Sequence, residues 1–211
     1  MRVGAIDIGS NSVRLLVADV ASDGPLSTVA RAGEPCRLAR DLGRTGEILP
    51  ELAERAARIV TEFAGRARSL GATRLLAGAT AALRSAGNGE DVAPMISNRA
   101  GVPVRILTGD EEARTVYEAV VTGLGGPSAG SACLVFDIGG GSTEVVSGVG
   151  EQPGRWVSLP FGAVSLTERH LFANPPSPAE VEELRREVEN QIMHECAYMP
   201  PSSPLFAGVG G

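Results

Sequence analysis

The chain has 211 residues and is 43% hydrophobic, enough for one large domain or for two of about a hundred residues with separate cores. All nineteen basic residues are arginine, and the absence of lysine excludes a Walker-A lysine, a kinase strand lysine and a Schiff-base lysine together. A formal charge of -6 argues against a nucleic-acid footprint, so a polyanionic substrate would have to be met by local arginines and a metal.

In chain order, residues 3–9 read as a buried strand ending in a turn, and the apolar run 12–20 as its hairpin partner. Residues 25–31 suggest a third strand. Over 50–70 the positions Leu52, Ala56, Ile59, Val60 and Phe63 recur at helical spacing, with Pro50 in the first turn and Gly71 just past the end. A strand at 74–79, a helix at 91–100 and a strand at 102–107 follow. Thr108 and Glu111 form a capping-box pattern that opens a helix running to about 122. The Gly-, Pro- and Ser-rich segment 123–130 is the expected domain boundary, giving domains 1–122 and 123–211. The second domain then reads as strand 132–137, glycine-rich turn 138–142, strands 143–149 and 156–159, helices 163–172 and 178–196, and strand 205–209.

Apolar runs such as 13–20 fall well short of the roughly 18 residues of a membrane span, and no charged-then-apolar leader opens the chain. A soluble, cytoplasmic protein without a membrane partner is expected. Cys36, Cys133 and Cys196 have neither metal-site spacing nor an even count, and they read as small buried hydrophobes.

An internal repeat carries most of the functional information. Asp7-Ile8-Gly9-Ser10-Asn11-Ser12 and Asp137-Ile138-Gly139-Gly140-Gly141-Ser142 share the form Asp-Ile-Gly plus small polar residues, 130 residues apart, each flanked by strand-like segments. A hairpin turn of Gly, Ser and Asn leaves backbone N–H groups accessible to an anion, and an acid ending its first strand can bind a hydrated cation. Two such hairpins at domain spacing would grip one phosphate chain or nucleotide.

These blocks, together with Ala79-Thr80-Ala81-Ala82-Leu83-Arg84, Gly109-Asp110-Glu111-Glu112-Ala113-Arg114, Ser142-Thr143-Glu144 and Pro160-Phe161-Gly162-Ala163-Val164, give a specific resemblance. The chain resembles the exopolyphosphatase and guanosine pentaphosphate phosphohydrolase family (Ppx/GppA), within the actin, sugar-kinase and Hsp70 superfamily. The resemblance implies an α/β protein of two actin-like (ribonuclease H-like) domains, with mixed sheets flanked by helices. The family continues past a turn like Val209-Gly210-Gly211, so a C-terminally incomplete second domain is expected.

What the resemblance implies for chemistry is hydrolysis of the terminal phosphoanhydride of inorganic polyphosphate by metal-assisted attack of water. Removal of the 5′ phosphate of guanosine pentaphosphate, or phosphate binding without turnover, are the alternatives; sugar phosphorylation is a weaker one. Glu112 is implied as the catalytic carboxylate, although an acid in a first helical turn is also explained by the helix dipole. Asp137 and Glu144 are implied as ligands of magnesium, or of manganese as the alternative, with Asp7 contributing. The implied substrate-binding residues are Ser10, Asn11, Thr80, Arg84, Gly139, Gly140, Gly141 and Ser142. Arg31, Arg37, Arg40 and Arg44 read as a solvated face. His170 and His194 lack a nucleophile partner, and Ser142 lacks a G-x-S-x-G elbow, which disfavours a covalent serine route. A homodimer accords with the family's habit.

Overall fold

The computed structural model describes residues 1–21, 26–123, 131–197 and 205–210, and its contacts divide the chain into two compact units, Met1–Leu107 and Thr108–Gly211. Both are α/β units with a mixed sheet flanked by helices, the class expected.

In the first unit the strands β1 (Arg2–Ile8), β2 (Ser12–Asp19), β3 (Ser27–Pro35), β4 (Arg74–Ala79) and β5 (Val104–Ile106) lie in the order β3-β2-β1-β4-β5. β1, β2 and β3 form an antiparallel meander, and β4 and β5 add in parallel. Four helices belong to this unit: α1 (Leu42–Thr45), α2 (Pro50–Ser69), α3 (Ala81–Ser85) and α4 (Gly89–Ala100). The apolar stripe of α2 is largely alanine, which lets the helix lie close to the sheet: a Cβ on Gly4 of β1 would come within 2.9 Å of the Ala67 Cβ. Close packing of this kind makes even one methyl group matter.

The second unit holds α5 (Gly109–Gly123), β6 (Ala132–Ile138), β7 (Thr143–Val149), β8 (Gln152–Leu159), α6 (Ala163–His170), α7 (Pro178–Glu195) and β9 (Leu205–Gly210), with strand order β8-β7-β6-β9. It repeats the start of the first unit: an antiparallel meander whose first strand takes a parallel neighbour. On one face Cys133, Val135 and Val146 pack against Ala113, Tyr117 and Val121 of α5. On the other, Val145 and Val157 join Leu159, Phe161, Leu166 and the α7 residues Leu184 and Val188.

α5 therefore supplies core to the second sheet, whereas the sequence reading placed it in the first domain. The contact boundary lies at Leu107 and Thr108, ahead of the expected break at 122 and 123. The composition break at 123–130 marks the connection from α5 to β6 inside the second unit, and residues 124–130 lie outside the described residues. Two strands also run longer than expected: β3 extends to Pro35 and β8 starts at Gln152. Cys36 and Cys133 are buried as anticipated, but Cys196 is only partly so. Among the described residues no helix is long and apolar enough to cross a membrane.

Candidate active site

The second unit brings three carboxylates to one face of its sheet. Asp137 near the end of β6 stands directly across from Glu144 on β7, and Glu144 directly across from Ser158 on β8. Residues opposite one another in a ladder project to the same side, and this is the side α5 covers. α5 enters at close range, because a Cβ on its first residue, Gly109, would lie 2.8 Å from the Ser158 Cβ. Its first turn, with Asp110, Glu111 and Glu112, is thereby laid against Ser158 and Glu144.

Within that turn the two glutamates have different tasks. Glu111 closes the capping box: its Oε2 accepts from the Thr108 N–H at 3.0 Å, and its own N–H donates to Thr108 Oγ1 at 3.1 Å. Glu112 instead acts on Glu144. Burial pushes the Glu144 carboxyl up to about 7, the charge of Glu112 adds to this, and the charge of Asp137 adds a smaller part. Two hydroxyls oppose the rise: the Ser158 Oγ donates to Glu144 Oε1 at 2.8 Å, and the Ser142 hydroxyl donates as well. Glu144 is only 1% exposed, so its carboxyl lies inside the unit.

Next to these acids, the glycine turn is held by α6. The N–H groups of Ala163, Val164 and Ser165 donate to the carbonyls of Gly139 and Gly140 at 2.9 to 3.1 Å, and Gly139 N–H closes the hairpin on the Ser142 carbonyl at 3.0 Å. In a trans peptide the N–H points opposite to the C=O. Anchoring the two carbonyls on α6 therefore directs the N–H groups of Gly140 and Gly141 away from it, as a pair of fixed donors. Gly162 makes this seating possible, since a Cβ there would lie 2.4 Å from the Gly139 carbonyl oxygen. The Thr143 Oγ1 ties the same loop by donating to the Phe161 carbonyl at 2.8 Å. Ser142, expected to cradle a phosphoryl group, is buried with its hydroxyl on Glu144.

The first unit builds the same hairpin. Gly9 N–H closes on the Ser12 carbonyl at 3.0 Å, and the turn's outer carbonyls are again anchored: Asn11 accepts from Cys36 and Arg37 at 2.8 Å and Ser10 from Ala39 at 3.0 Å. Arg37 makes that bond from the left-handed region, at a φ of 58°. Ser10 is buried, while Asp7 and Asn11 are exposed. The equivalent of Glu144 across the ladder from Asp7 is Arg14, so the two hairpins differ in the sign of one charge. Thr80 immediately precedes α3, and Arg84 in its last turn donates from Nη1 to the Leu107 carbonyl at 2.9 Å.

Asp137 and Glu144 suit a hard cation chemically: two carboxylates across one ladder, one of them buried and raised by its neighbours' negative charge. Among the described residues no three His, Cys, Asp or Glu side chains come together as a metal-holding group, and Asp7 belongs to the first unit, near the end of β1. Magnesium needs only one or two protein carboxylates when phosphate oxygens and waters complete its shell.

Sequence reasoning did not assign Ser158, Gly109 or Gly162. The alignment of Ser158 with Glu144 is obscured by the bulge between Val146 and Gly148. The glycine at 109 beside a capping box, and the glycine at 162 ahead of a helix, were the readable signals.

Comparison with known proteins identifies relatives of the chain. The profile described as the Ppx/GppA phosphatase family matches residues 16–199. Exopolyphosphatase 1 of Mycobacterium tuberculosis is 40% identical over 185 residues, covering 88% of this chain and 53% of that protein. A Ppx/GppA family member from Aquifex aeolicus superposes with a TM-score of 0.79 at 33% identity, covering 100% of this chain and 66% of the other. An exopolyphosphatase-like protein superposes with a TM-score of 0.92 at 32% identity, with the same coverages. The chain spans about half the length of the mycobacterial relative.

Proposed function

The chain belongs to the Ppx/GppA phosphatase family, and from that premise we propose that it is an exopolyphosphatase, hydrolysing the terminal phosphoanhydride of inorganic polyphosphate. The observation that carries the reading is the pairing of Glu144 with Glu112 on one side and with Asp137 across the ladder, beside a glycine turn whose N–H groups are held outward by α6. Negative side chains next to fixed anion donors are what a reaction needs when water must be deprotonated beside a phosphate.

In the proposed reaction Glu112 accepts a proton from the attacking water as its oxygen bonds to the terminal phosphorus. The anhydride P–O bond breaks in line, and the shortened chain leaves with the bridging oxygen. Glu112 suits this role because Glu111 is occupied in the capping box and Glu144 is buried and held by two serines. The Gly140 and Gly141 N–H groups receive the charge that shifts onto the phosphoryl oxygens. Asp137 and Glu144 would hold magnesium, which supplies charge neutralisation on the phosphate oxygens when bound.

The test is phosphate release by the 211-residue chain with magnesium, from long polyphosphate, guanosine pentaphosphate and ATP offered separately, with Glu112→Gln as the matched control. Release from polyphosphate that disappears in the variant supports the reading. Preference for guanosine pentaphosphate moves the substrate to the nucleotide. Tight phosphate binding without release makes the chain a binding module.

A further inference from the structure

The first unit contains a second cluster of arginines to which no role has been given. Positions 51, 54, 55 and 58 of α2 recur at the spacing that places residues on one face of a helix. Glu51, Glu54, Arg55 and Arg58, with Arg99 of α4, line a surface cavity of about 360 Å³. Both acids are engaged: Glu51 accepts from Arg40 at 2.9 Å, and Glu54 is paired with Arg99. Arg55 and Arg58 make no ion pair among the described residues. The Arg55 Nε is moreover buried without a hydrogen-bond partner among them. A buried charged donor with no acceptor is costly, and a bound water or ion is one way such a group is satisfied.

We propose that this cavity is a second anion site, in which Arg55 and Arg58 bind phosphate groups apart from the hairpin turns. Arginine is suited to this, because its planar fork matches phosphate oxygens two at a time and stays charged at all working pH. The lining side chains carry one positive charge in excess.

The cavity's place in the fold gives the site a purpose. β4 runs parallel to β1 and follows directly on the C-terminus of α2, so the first turns of α2 lie at the end of the sheet where β1 finishes, beside the Ser10–Asn11 turn. Direct contacts trace the same route. Cys36 holds the Asn11 carbonyl through its N–H, and its thiol approaches the Leu52 carbonyl at 3.7 Å, within one turn of Arg55. Burial pushes the Cys36 thiol up to about 11, and the charges of Arg55 and Arg58 act against that rise, as near neighbours would. A phosphate chain longer than a few units, or a free phosphate product, would find here a holding point next to the first hairpin.

The inference does not rest on turnover, so its test is separate from that of the hydrolase reading. Tripolyphosphate is titrated calorimetrically, without divalent metal, into the chain and into Arg55→Gln/Arg58→Gln. One class of site should weaken at least about tenfold in the double variant, the loss expected for charged hydrogen bonds. In parallel, phenylglyoxal labelling of the unaltered chain, mapped by mass spectrometry, should show Arg55 and Arg58 protected by orthophosphate and by tripolyphosphate. Identical isotherms from a folded variant, or labelling unaffected by either phosphate, overturn the proposal. Protection by guanosine and not by phosphate overturns it too, because the cavity would then read a base. If the double variant does not fold, the labelling result decides alone.

Discussion

Glu144 stands directly across the β6–β7 ladder from Asp137, and its carboxyl, 1% exposed, is pushed up to about 7 first by burial and then by the charge of Glu112. This one relationship governs how the second unit should respond to pH, to cations and to substitution.

The folded protein holds a proton on Glu144 over a pH range in which the unfolded chain, at an ordinary value near 4.5, does not. Stability should therefore fall as pH rises from about 4.5 through about 7, by at most roughly 3 kcal/mol for a rise of that size. Without divalent cations, urea unfolding at pH 5 and pH 8 should show the second unit weaker at pH 8. Glu144→Gln should flatten that dependence and raise stability at pH 8 by about 1–3 kcal/mol. A steeper pH dependence in Glu144→Gln would contradict the assignment.

The two adjacent glutamates should separate cleanly under substitution. Glu112→Gln should lower phosphate release by roughly 10²- to 10⁴-fold with the melting temperature little changed. Glu111→Ala removes a cap and leaves the chemistry in place, so it should cost about 1 kcal/mol of stability while keeping turnover. Measuring release and thermal unfolding on both variants checks the assignment, and the reversed pattern would exchange their roles.

Gly162→Ala inserts a methyl group where 2.4 Å separates the Cβ position from the Gly139 carbonyl oxygen. Steric crowding alone carries the argument, because the Gly162 backbone is extended. The variant should lose about 1–3 kcal/mol of stability and weaken phosphate binding together, since the same shift displaces the turn. Calorimetric phosphate titration beside denaturant unfolding reads both losses.

Glu180 offers a control away from the site. Bonds from the N–H groups of Ser177 and Phe172, then the Ser177 hydroxyl, hold its carboxyl down at about 2, with Ala173 adding a further bond. Its stabilising contribution is full above about 4.5 and is lost as pH falls toward about 2. Glu180→Ala should speed amide exchange at Phe172, Ala173 and Ser177 without altering turnover. Exchange unchanged at those three amides would contradict the bonding pattern.

Much of the fold was legible in the sequence, because local signals and tertiary packing agree. The Leu52 to Phe63 stripe, the Thr108 capping box and the repeated Asp-Ile-Gly turns each specify an element that the structure contains. Short or register-dependent features were harder to read. α1 is a single turn bracketed by Asp41 and Gly46 in left-handed conformation, and four residues carry no periodicity. The domain boundary followed composition, whereas the contacts followed Tyr117 and Val121 into the second core. In the site, the family resemblance pointed to Glu112, Asp137 and Glu144, but the proximity of Glu112 to Glu144 depends on how closely Gly109 lets α5 approach Ser158, a distance no pattern of residues encodes.

The three α6 amides on the turn carbonyls have a consequence for recognition. A loop anchored through both of its outer peptide planes cannot remould itself around whatever arrives, and it spends little conformational entropy when something does. In the proposed reaction, selectivity at this turn would thus be that of a mould already set: an oxyanion of the right size would be accepted as it comes, and a bulkier one turned away, because the glycines have nowhere to retreat.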